Sequence, residues 1–286
     1  MNVRVIPRMD IKGPNLVKGV HLEGLRVLGK PEQFARYYYE GGADELVYMD
    51  VVASLYGRNS LHDIVERTSR EIYIPLCVGG GLRTVDDVRD ILRAGADKVS
   101  LNTAAIGNPD IIRQVAKRFG SSTILVSIEA MRKHDGSYEA LTDNGRESTG
   151  VDAIEWAQKA SDLGAGELMI TSIDREGTGE GFDLELVERI ARSVGVPVIA
   201  CGGAGSPADV VRVVREGWAD AISLASILHY GSLKDALAMD YSSEGNTEFL
   251  AGGGPPFSKI RPSTIAEVKK ALMEVGIDVR PVIEAA

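Results

Sequence analysis

With 286 residues, 44% of them hydrophobic, the chain is long enough to bury the core of one large α/β domain. A net charge of −9 argues against nucleic acid as a main partner, because a phosphate backbone is held by a basic surface. The N-terminal stretch MNVRVIPRMD has no apolar signal core and no run approaches the length of a membrane span, so a cytoplasmic location is expected.

A first strand over 3–8 delivers Asp10 at its C-terminal end. A loop with Lys12 and Lys18 follows, then a helix over 32–39 and a second strand over 45–50 that ends in Asp50. A helix begins near Ser60, with Leu61, Ile64 and Val65 on one face at helical spacing. The stretch over 74–105, IPLCVGGGLRTVDDVRDILRAGADKVSLNTAA, then reads as strand, glycine cluster, amphipathic helix and strand. In it Thr84 and Asp87 make a capping-box-like pair, and Val85, Val88 and Leu92 point inward. Asn108-Pro109 opens the next helix.

The fifth strand, over 123–128, ends in Glu129. An insertion over 132–150 follows, whose Asn144-Gly145 turn predicts a small hairpin over the mouth of the fold. The sixth strand, over 167–171, leads into a glycine-rich loop with Asp174, Glu176 and Gly177 that could close on a ligand or simply be flexible. After a helix from Asp183, a near copy of the earlier unit begins at Val196, VPVIACGGAGSPADVVRVVREGWADAISLAS. A short helix near Ser232 would offer its N-terminus to an anion. Residues 238–262 break the pattern as an irregular insertion, and a last helix runs from Thr264 to Gly276.

Gly79, Gly80, Ala96 and Leu101 recur as Gly202, Gly203, Ala219 and Leu224, each 123 residues on, so the chain is a tandem duplication. Alternating strands and helices predict a parallel sheet, and the length suits one (β/α)8 TIM barrel, typically about 250 residues, occupying the whole of 1–286. Glycines after a strand bare backbone N–H groups and make a good phosphate cradle, although one such cluster alone could serve only a tight turn. Repetition in register favours a ligand with two phosphates. Glu129 is the counterpart of Asp10 at a spacing of 119, which sets two carboxylates across the barrel mouth, an arrangement suited to general acid and base work. Cys77 and Cys201 fall within predicted core strands as free thiols, the four histidines are scattered, and neither a metal site nor a cofactor is expected.

In combination DIKGPNLVKG, DELVYMD, VGGGLRT, GADKVSLNTAA, GAGELMITSIDREGT and ACGGAG resemble the cyclase subunit of imidazole glycerol phosphate synthase, the HisF family. The likeness covers about residues 1–235 and the last helix. It implies a barrel of two duplicated half-barrels that takes ammonia from a glutaminase partner at its bottom. At its top the ammonia is combined with a bisphosphate ribulosyl aminoimidazole carboxamide nucleotide, giving imidazole glycerol phosphate and aminoimidazole carboxamide ribotide.

By the same resemblance Asp10 and Glu129 are the catalytic pair, and Lys18, Asp50, Asp174, Glu176 and Gly177 serve the substrate. Gly81, Asn102 and Thr103 hold one phosphate, and Gly203, Ala225 and Ser226 the other. Arg4, Glu45, Lys98 and Glu167, each at a strand start, match the salt-bridged ring that admits ammonia.

The chain departs from the family at Glu129 and Glu176, where aspartates are usual, and in the insertion over 238–262. At Glu129 a misplacement of about 1 Å could cost on the order of a hundredfold in rate. These departures leave an alternative, a paralogue that activates a glutaminase and delivers ammonia to a nucleotide-sugar amidotransferase of surface-polysaccharide synthesis. The related sugar isomerase barrel is disfavoured by the charged ring and the DREGT loop.

Overall fold

The computed structural model describes residues 2–53, 61–235 and 259–282. Eight parallel strands close on themselves in the order β1 (Arg4–Lys12), β4 (Leu46–Asp50), β5 (Leu76–Gly79), β6 (Lys98–Leu101), β7 (Ile124–Arg132), β10 (Glu167–Ser172), β11 (Val198–Cys201) and β12 (Ala221–Leu224), which pairs back onto β1. All five residues of β4 and all four of β5, β11 and β12 are buried, as parallel strands covered on both faces require.

Ten α-helices are defined among the described residues: α1 (Pro31–Glu40), α2 (His62–Ser69), α3 (Val85–Arg93), α4 (Thr103–Gly107), α5 (Asp110–Phe119), α6 (Ala153–Asp162), α7 (Leu184–Ala191), α8 (Pro207–Arg215), α9 (Ser226–Asp235) and α10 (Ile265–Glu274). The capping box expected at Thr84–Asp87 forms, and Ser206–Asp209 on α8 and Thr264–Glu267 on α10 repeat the device. On α3 the inward face is Val88 and Ile91, while Val85 and Leu92 are only half-buried.

Four expectations need correction or fall outside the described residues. The loop after Asp10 is instead a hairpin, because β1 runs on to Lys12 and pairs antiparallel with β2 (Asn15–Val20), which pairs with β3 (Glu23–Gly29). Ser60 lies outside the described residues, and α2 starts at His62. The short helix near Ser232 is the interior of α9, which begins six residues earlier at Ser226. Of the irregular insertion, 238–258 lies outside the described residues; where the chain is again described, Arg261 donates from its backbone to the Gly205 carbonyl at 2.7 Å.

The hairpin expected around Asn144-Gly145 is present as β8 (Tyr138–Thr142) and β9 (Glu147–Asp152), added antiparallel to β7. Each half-barrel therefore carries the same ornament, a two-stranded extension on its first strand. Inside the barrel Ile6, Val47, Cys77, Leu125, Met169, Ile199 and Ala221 form one apolar cluster, separate from the larger layer between sheet and helices. Both cysteines are buried and unpaired. Among the described residues no helix is long and apolar enough to cross a membrane.

Candidate active site

Side chains alternate along a strand, so β1 turns Arg4, Ile6, Arg8 and Asp10 toward the barrel axis in ascending order. Lys98, Ser100 and Asn102 rise likewise from β6, and Leu125, Ser127 and Glu129 from β7. β1 and β7 lie four strands apart in either direction round the barrel, so Asp10 and Glu129 come from opposite sides. Their settings correspond: Asp10 is level with Met49 and Val17, Glu129 with Thr171 and Leu141.

The two carboxylates differ in what holds them. Asp10 Oδ1 accepts from Nε of the buried Arg8 at 2.9 Å, and Arg8 Nη1 reaches Thr171 Oγ1 at 3.1 Å. Glu129 Oε2 accepts from Asn102 Nδ2 at 3.0 Å. Burial pushes the Glu129 carboxyl up to about 7, against the pull of the Arg8 charge and the Gly145 N–H. A side chain poised near neutrality and another tied to a cation are a candidate acid and base.

Two glycine-lined cavities flank them. Asp50, Gly81, Asn102, Thr103 and Glu129 line one of ≈ 260 Å³, between the ends of β4, β5 and β6. The backbone there admits no side chain, since Gly80 has φ +99° and a Cβ on it would lie 2.3 Å from the Asp50 carbonyl oxygen. In the other half Glu176, Gly177, Gly203, Ala225 and Ser226 line the second cavity, with Arg8 in its wall. Gly203 has φ +112°, and its Cβ would meet the Gly181 carbonyl at 2.2 Å. Ser226 opens α9, so this cavity meets a helix N-terminus, which favours an anion.

Asp10, Lys18 and Asp174 are not among the residues that line the two cavities. Lys18 is buried in an ion pair with Glu176 and donates to the Gly19 carbonyl at 2.8 Å, so it lines neither cavity. Glu176 Oε2 also accepts from the Leu22 N–H at 3.0 Å, which fastens the first hairpin to the loop after β10. Asp174 is exposed and accepts from the Arg132 N–H at 2.8 Å, at the base of the second hairpin. Asn144 Nδ2 donates to the Leu22 carbonyl at 3.2 Å, and Leu22, Leu141 and Ile173 cluster where the hairpins meet.

At the opposite end the four ring residues alternate in charge and close on one another. Arg4 reaches Glu45 at 2.8 Å and Glu167 at 2.6 Å, and Lys98 reaches the same two at 3.0 and 2.8 Å. Burial works to raise Glu167, but Arg4 and Lys98 outweigh it and hold the carboxyl below its usual range. Glu45 is more deeply buried, and there burial wins over the same two cations.

The description "Histidine biosynthesis protein" belongs to the family model that matches residues 4–234. The imidazole glycerol phosphate synthase subunit HisF of Legionella pneumophila is 59% identical over 71% of this chain and 96% of its own length. Those of Streptomyces griseus subsp. griseus and Dehalococcoides mccartyi are 48% and 46% identical, over 81% and 84% of this chain and 92% and 95% of theirs. The chain belongs to the HisF family. Nothing among these relatives favours the nucleotide-sugar alternative, and as HisF proteins they carry the name of one subunit of a larger enzyme.

Sequence reading within the HisF frame missed Arg8, which it took as the end of the first strand. The signal was available: a charge two residues before Asp10 faces the same way on a strand, and so turns into the barrel.

Proposed function

We propose that this chain runs the cyclase reaction of imidazole glycerol phosphate synthase, using ammonia and a bisphosphate ribulosyl aminoimidazole carboxamide nucleotide. The observation that carries the reading is the placement of Asp10 and Glu129 from opposite walls between two glycine cavities. Gly81, Asn102 and Thr103 would bind one phosphate and Gly203, Ala225 and Ser226 the other, which lays the ligand across the mouth with its reacting carbons over the carboxylates. Addition of an amine to a carbonyl needs a base to accept a proton and an acid to release water. Asp10 is assigned the first role and Glu129 the second, supported by the Arg8 pairing and by burial. Asp50 orients substrate from the first cavity, and Glu176 with Gly177 closes the second while Lys18 anchors the hairpin above.

A glutaminase of the HisH kind would dock at the bottom and feed ammonia through the ring of Arg4, Glu45, Lys98 and Glu167. The closed alternation of charges at the strand starts supports this. We read 1–286 as one barrel domain with an insertion at 238–262, working in the cytoplasm. The test is turnover by the purified chain alone, with the nucleotide and excess ammonium salt. Formation of imidazole glycerol phosphate is expected; a folded protein that binds the nucleotide without converting it would favour the ammonia-conduit reading.

A further inference from the structure

Arg8 is a full positive charge in the barrel interior, 2% exposed, within an otherwise apolar and hydroxyl-bearing layer. The fold gains little from it. Nε serves Asp10 and Nη1 serves Thr171, while Nη2 has no partner among the described residues. A buried donor left unpaired costs about 1–3 kcal/mol, and an apolar side chain of like volume is often at least as stable at such a position. Its cost to stability points to a use of the charge.

We propose that Arg8 is a positioning residue of the cyclase reaction: a fixed cation that bonds Asp10 on its own strand and, across the barrel, Thr171, the residue level with Glu129, and so orients Asp10 as proton acceptor and sets how readily Glu129 gives up its proton. This rests on the cyclase reading above. Through Nε the guanidinium fixes one oxygen of Asp10, leaving the other to face the ligand. The charged groups acting on Glu129 are Arg8 and Asp10 from β1 and Asp143 from the β8–β9 turn, with the Gly145 N–H beside them. The carboxylates acting on Arg8 in turn are Asp10 and Glu129, and the Cys201 Sγ lies 3.7 Å from Nη1. Arg8 is the one cation among the groups acting on Glu129, and it opposes burial there.

Arg8→Met removes the charge, Arg8→Gln removes it but keeps a polar head for Thr171, and Arg8→Lys keeps it. Carbon-13 NMR of the whole chain carrying δ-labelled glutamate, with Glu129 assigned from Glu129→Gln, reads the ionisation of Glu129 without any turnover. The midpoint is expected near 7 in the unaltered chain, about one pH unit or more higher in the neutral variants, and little moved in Arg8→Lys. In ammonium-driven turnover, corrected for free ammonia, kcat should fall about tenfold or more in the neutral variants while KM changes less than about threefold. The alkaline limb of the pH profile should move up with the midpoint. An unmoved midpoint in either folded neutral variant overturns the proposal. Absence of turnover in the unaltered chain overturns the cyclase reading instead, and the titration still tests Arg8.

Discussion

Glu129 stands where the extra methylene relative to aspartate put turnover in question. The structure gives that longer side chain its own partners, Asn102 Nδ2 at 3.0 Å and the Gly145 N–H. Glu129→Gln keeps the shape and removes the proton donor, so kcat should fall about a hundredfold to ten-thousandfold with nucleotide binding retained, as steady-state kinetics and calorimetry would measure. The same burial makes the carboxyl a pH-dependent element of stability. Its folded midpoint of about 7 lies above the ordinary 4.5, so the stabilisation is fully present below 4.5 and is lost as pH rises through 7. The loss is on the order of 3 kcal/mol. Urea unfolding at a series of pH values should show this fall in the unaltered chain and a much flatter curve in Glu129→Gln; parallel curves would contradict it.

At the scale of elements, the two hairpins repeat one another but were unequally legible. The β8–β9 turn announces itself in Asn144-Gly145, residues that accept positive φ readily. The β2–β3 turn instead places His21 and Leu22 at φ +51° and +61°, which a bulky apolar residue such as Leu22 seldom adopts. Tertiary contacts hold that conformation: the Leu22 N–H on Glu176, the Leu22 carbonyl on Asn144, and the buried Lys18–Glu176 pair. Removing one member of a buried pair strands the other charge, at a cost of about 3–5 kcal/mol. Glu176→Gln should therefore speed hydrogen exchange of the amides over 15–29 by about tenfold or more, with β5 and β6 unaffected. Unchanged exchange in that hairpin would show that Glu176 is not its latch.

Over the whole molecule the barrel was readable because its two halves are written twice, in the same order and at nearly the same spacing. The strands and glycine clusters follow from the 123-residue repeat, and the opposed carboxylates from the parallel sheet and their own spacing of 119. What was not readable depends on contacts between distant segments: the latch of Glu176 on Lys18 and the reach of Arg8 across to Thr171. The ring and the mouth lie at opposite ends of one barrel, so damage to each should have separate effects. Lys98→Met should leave ammonium-driven turnover within about threefold while lowering the share of glutamine-derived ammonia that reaches product in the glutaminase complex. Equal loss with both nitrogen sources would place Lys98 in the general stability of the barrel.

Asp10→Asn in the ammonium-driven assay, beside nucleotide binding by calorimetry, tests whether Asp10 performs cyclase chemistry on a nucleotide held by the two cradles. Turnover is expected in the unaltered chain, with a fall of about a thousandfold or more in Asp10→Asn and affinity preserved within about tenfold. Turnover that survives Asp10→Asn, or is absent from the unaltered chain despite tight binding, would contradict it.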